Sequence, residues 1–124
     1  MIRWLMAFLF TQVIECPLYL WALRRERGEG DEPKHSIPAA LLMAFGATAV
    51  THPFVWFVIP DVWRGIGNFW GHTGYIVAAE TFAVVVEAWY LQGFGLRRAW
   101  LWALAANMAS FGLGMLCREL WGFP

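Results

Sequence analysis

Hydrophobic residues in this chain gather into four long runs, separated by three polar or turn-forming stretches. Residues 1–23, 37–59, 73–93 and 99–121 are each long enough to cross a bilayer, since a spanning helix needs about 20 residues. Residues 24–36, RRERGEGDEPKHS, mix charge signs, hold Gly28, Gly30 and Pro33, and show no apolar period. They read as a solvent-exposed loop. Residues 93–98, GFGLRR, form a tight connection. Residues 61–72, DVWRGIGNFWGH, form a short link whose Trp63, Phe69 and Trp70 suit the headgroup level. The pattern predicts an all-α fold, a single-domain polytopic membrane four-helix bundle with short loops.

The run edges carry readable signals. Arg3 before an apolar core imitates a secretory signal, but the core runs on past Gln12 and Glu15. It ends in Arg24-Arg25-Glu26-Arg27 without a small-residue cleavage site, so a retained helix is expected. Pro17 should kink that helix and leave the Val13 carbonyl without a donor, and Pro53 should do the same for Ala49. Ser36 is placed to cap the second helix, with Pro38 in its first turn and His35 solvated before it. Pro60 and Asp61 should end it. Small residues along 38–49, and Ala105 with Ala109 and Ala103 in the last run, offer faces for close helix approach.

Composition agrees. Of 124 residues, 60% are hydrophobic and 18% aromatic, with a mean hydropathy of +0.51. Soluble domains sit nearer about 45–50% apolar, so the excess must face lipid. Most of the Trp, Phe and Leu content then serves as lipid-facing and belt material, with Trp56 and Trp63 near one face and Trp21 and Trp100 near the other. The formal net charge is zero, which gives no reason to expect a nucleic-acid partner. Cys16 and Cys117 fall toward opposite faces and read as small apolar residues. The 24–36 and 93–98 loops hold six basic residues, against Arg3, Arg64 and Arg118 on the other side. That asymmetry predicts cytoplasmic loops and both termini outside.

Against this apolar background the internal polar residues stand out. Glu80 and Glu87 lie well inside the third run, and seven residues turn a helix through about 700°, so both point the same way, about 10 Å apart. A charge at that depth costs about 2.5–3.5 kcal/mol on insertion scales. Their stripe should face protein, water or an ion. Helix rise places His52 level with Glu80 near the outer side, and Glu15, Glu87 and Asn107 level with one another below. Imidazole and carboxylate suit a divalent metal such as zinc, iron or manganese. The same groups also serve as proton relays, and the two prolines could turn free carbonyls toward them. With equal weight, buried glutamates hydrogen-bonded to Thr51, Ser110 or Asn107 would simply hold the helices in register. His72, above Glu80, suits a group at the mouth of a path or an interfacial side chain. Thr11, Gln12 and Thr48 read as back-bonded helix residues.

The set Glu15-x-Pro17, Thr51-His52-Pro53, Glu80 with Glu87, and Asn107 with Ser110 resembles a group of small prokaryotic membrane proteins of four spans. That resemblance implies a bacterial inner-membrane protein and no particular activity. Three functional expectations follow. The first is a carboxylate and histidine site that binds a divalent metal or conducts protons or cations. The second is a structural or assembly subunit, as a homodimer or in a larger membrane complex. The third is an intramembrane hydrolase using His52 as base, which no convincing serine or cysteine nucleophile supports.

Overall fold

The structure is a computed structural model that describes residues 1–68 and 70–122. Phe69, assigned above to the headgroup level, and the tail residues Phe123 and Pro124 lie outside the described residues. Helix α1 spans Ile2–Arg25, α2 Ile37–Gly65, α3 Gly71–Gly93 and α4 Ala99–Trp121. All four are long and apolar enough to cross a membrane, and the fold is the predicted four-helix bundle. Each helix packs on the next, and α4 closes on α1.

The bundle is inside-out compared with a soluble one. Leu9, Val13, Leu42, Trp89, Leu101 and Leu120 are among the many large apolar side chains on its outer surface. In a bilayer they meet lipid, so no hydrophobic force drives the helices together. Close approach of small residues does that work. The interior is accordingly rich in alanine: Ala40, Ala44 and Ala47 on α2, and Ala99, Ala103 and Ala106 on α4, recur at one-turn spacing and are buried. The expected small-residue face at Ala105 and Ala109 is corrected here, since Ala105 is exposed and Ala109 only half-buried. The buried stripe is the one that continues into Asn107 and Ser110, which must turn inward to find partners. At Gly46 on α2 a Cβ would collide with the Tyr90 hydroxyl of α3, so any larger residue there displaces that ring.

Helix α2 does not stop at Pro60. It runs to Gly65, because Phe54–Val58 form a π-helical turn between Pro53 and Pro60. Each proline removes one ladder donor, and the wider turn re-registers the ladder between them. The Tyr75 hydroxyl of α3 donates to the Val55 carbonyl inside that turn, at 3.1 Å. At 29 residues, α2 is about 43 Å long and overhangs a hydrocarbon core of about 30 Å. Pro17 behaves differently from expectation. Both Pro17 and Val13 are exposed on the outside of α1, so the freed carbonyl lies on the outer face and not toward the polar interior.

The two loops at one end of the bundle are hooked together. Arg24 donates to the His35 carbonyl (2.6 Å), His35 Nε2 bonds the Phe94 carbonyl (2.9 Å), and the Arg97 amide donates to Glu26 (2.9 Å). His35 therefore clamps the two loops while its side chain stays partly in solvent. Ser36 caps α2 through the Ala39 amide, as its sequence position predicts.

Candidate functional site

Next to the hooked loops the bundle is solid. Tyr19, Ala22, Leu23, Ala40, Ala44, Ala47, Leu91, Leu96, Ala99 and Ala106 form one buried core. Above it, toward the termini, the four helices enclose a cavity of about 270 Å³. Among the described residues, none of its lining reaches deeper toward the loops than Glu15, Thr48, Glu87 and Asn107. Upward it extends to Arg118, eleven residues along α4 from Asn107, or about 16 Å. The cavity therefore occupies the termini half of the bundle and ends on a carboxylate floor.

That floor is a hydrogen-bonded set contributed by all four helices. Glu87 of α3 accepts from the Tyr19 hydroxyl (2.5 Å), the Thr51 hydroxyl (2.7 Å) and Asn107 Nδ2 (2.8 Å). Glu15 of α1 accepts from the Thr48 hydroxyl (2.6 Å) and the Ser110 hydroxyl (2.6 Å). Both glutamates are only 1% exposed. Asn107 is oriented by a second bond from Nδ2 to the Ala103 carbonyl, at 2.9 Å. A buried polar group without a partner in hydrocarbon is expensive, so the sequence places a hydroxyl or amide opposite each carboxylate oxygen.

Two of these hydroxyls have somewhere else to turn. Thr51 Oγ1 also lies 3.2 Å from the Thr48 carbonyl, and Ser110 Oγ lies 3.1 Å from the Asn107 carbonyl. A hydroxyl has one proton and two lone pairs. When Glu87 takes up a proton on the oxygen facing Thr51, Thr51 swings its own proton to the Thr48 carbonyl and becomes the acceptor. Ser110 does the same for Glu15. Either carboxyl thus gains or loses a proton by rotation of a hydroxyl, with every heavy atom in place.

The upper level is assembled otherwise than depth alone suggests. Glu80 and His52 both line the cavity, but no hydrogen bond joins them. The His52 ring is 8% exposed and sits among aromatic rings, with centroids 5.2 Å from Phe8, 6.0 Å from Trp56 and 6.2 Å from Trp4. Its Nδ1 and the Trp4 indole nitrogen are buried without a partner. Glu80 makes no hydrogen bond among the described residues. His72 is exposed, lies tilted against the Tyr75 ring (5.9 Å), and lines a separate surface cleft with Trp63, Arg64 and Asn68. It is not at the mouth of the Glu80 cavity. Among the described residues, no group of three or more His, Cys, Asp and Glu side chains gathers to hold a metal ion. No hydroxyl or thiol among them hydrogen-bonds His52, and a nucleophile–base pair is missing with it.

Two floor residues, Tyr19 and Thr48, and the neighbouring Gln12 were invisible or misread at the level of sequence. Tyr19 carries the shortest bond to Glu87, and its only signal is its position one turn after Glu15 on α1. Thr48 is a donor to Glu15 and not merely back-bonded. Gln12 reaches across to the Phe45 carbonyl of α2 at 3.1 Å. Thr11 lines the cavity. No protein-family model, curated protein or solved structure matches this chain. Its function therefore rests on the site itself.

Proposed function

We propose that the protein handles protons in a membrane, taking them up through the termini-side cavity onto the Glu15–Glu87 floor and releasing them again. The observation that carries this reading is the pair of alternative acceptors behind Thr51 and Ser110, which lets each carboxyl change protonation state without repacking. Glu80, on the wall between mouth and floor, is the intermediate station. Passage to the loop side needs a second arrangement of the helices, because the Tyr19–Leu23 core closes it. We place the chain in a bacterial inner membrane with its termini outside, so the cavity faces outward. A metal-binding version of the same site draws no support from the spacing of the side chains.

The test is proton flux into liposomes holding purified protein, read by an internal pH dye under a potassium-diffusion potential. The expected result is flux well above that of protein-free liposomes, falling to that background in Glu15→Gln/Glu87→Gln. Flux equal to background in the native protein would overturn the proposal.

A second reading has its own observation. The same five bonds from Tyr19, Thr48, Thr51, Asn107 and Ser110 tie all four helices together, which suits a purely structural lock in an assembly subunit. Crosslinking in native membranes that traps a discrete partner or a second copy, with no flux, favours it.

A further inference from the structure

The proton reading uses the carboxyls of the cavity and leaves its aromatic walls unexplained. Phe10, Trp56 and Phe111 line them, and Glu80 lines the same cavity without a hydrogen bond among the described residues. The floor glutamates have their oxygens occupied by donors, so Glu80 is the carboxyl left with capacity for a partner. The ionisable groups lining the cavity are unequal as well, with the carboxyls of Glu15, Glu80 and Glu87 beside the single guanidinium of Arg118. An anion entering would meet three carboxyls. A neutral apolar molecule would enclose Glu80 without satisfying it, at a depth where unpaired polar groups are penalised. A cation satisfies it. Aromatic faces add attraction for a positive charge that is weakly hydrated, which favours an organic ammonium over a small metal ion.

Size narrows the class further. A cavity of about 150 Å³ accepts benzene, and this one holds about 270 Å³. In proportion, that is room for about eleven non-hydrogen atoms. We propose that the cavity binds a small organic ammonium cation with an aromatic or branched apolar body, its nitrogen at Glu80 and its body among Phe10, Trp56 and Phe111. This rests on the cavity being the working vestibule proposed above.

The probe is benzyltrimethylammonium, titrated calorimetrically into the full chain in a non-ionic detergent, with benzenesulfonate as the anionic counterpart. Saturable one-to-one binding of the ammonium and none of the sulfonate is expected. Glu80→Gln should weaken ammonium binding at least tenfold, and Glu80→Asp should restore most of it. Because Glu80 holds no hydrogen bond, both variants should keep the native unfolding midpoint, which is measured on the same samples. Absence of saturable binding to the native protein, or equal binding to Glu80→Gln, overturns the proposal. Liposome proton flux separates the two readings: binding without flux defeats only the proton path, and flux without binding defeats only the organic cation.

Discussion

The two halves of this bundle are built from the same helices yet follow opposite rules. On the loop side, alanines at one-turn spacing on α2 and α4 let those helices pack closely on their neighbours, and Tyr19, Leu23, Leu91 and Leu96 fill what remains. Hydrogen bonds between the loops then hold the end shut. On the termini side, Ala7, Ala83 and Gly114 also present small faces, but what they border is the cavity. The π-helical turn of α2 lies there, and Val55 and Trp56 within it line the space. Small residues therefore do not dictate close packing. They permit it, and whether the gap closes depends on which neighbours stand opposite. The carboxylates mark the boundary, with solid protein beneath and open space above.

The comparison breaks or sharpens at particular residues. The largest effect is expected from enlarging an alanine. Ala103 is fully buried in the packed half, and Ala83 borders the cavity. Ala103→Leu should cost about 3 kcal/mol or more, as overpacking does, whereas Ala83→Leu should stay within about 1 kcal/mol by growing into open space. Reversible unfolding in mixed micelles measures both, and equal losses would erase the distinction between halves.

Next in size is the boundary itself. Glu87→Ala strands the Tyr19 hydroxyl and one Asn107 N–H, while Thr51 turns to the Thr48 carbonyl, and unsatisfied buried groups cost about 1–3 kcal/mol each in water but less within membranes. A total loss of about 2–4 kcal/mol is expected on that basis, with the Gln variant losing less because it keeps an acceptor. A loss under about 0.5 kcal/mol would mean the floor is not what joins the helices.

The smallest effect belongs to the cavity wall. Glu80→Gln removes no hydrogen bond, and its stability should stay within about 0.5 kcal/mol of native. A large change in its unfolding midpoint would show that Glu80 supports the fold and would undercut its assignment to a ligand.

Much of the architecture was legible from the chain. Four apolar runs fix four spans because lipid admits backbone only where its hydrogen bonds close internally. Even depth was legible, since helix rise is constant: Glu87 and Asn107, predicted level, are hydrogen-bonded. The same argument misled for His52 and Glu80, because equal depth says nothing of azimuth. His52 faces the α1 aromatics Trp4 and Phe8, and Glu80 faces the open centre. Pro17 failed likewise, its depth being right and its face wrong.

By itself, the sequence determined the number of spans, the loop that stays in water, the cap at Ser36 and the presence of carboxyls inside the bilayer. Each follows from local composition measured against the solvent it must enter. Only the tertiary structure decided that Tyr19, Thr48 and Ser110 join Glu15 and Glu87, and that one half is solid and the other open. Those facts depend on how each helix is rotated against its neighbours. In lipid that rotation is set by the fit of small residues and by pairing of polar ones, both of which are properties of two surfaces and of neither alone.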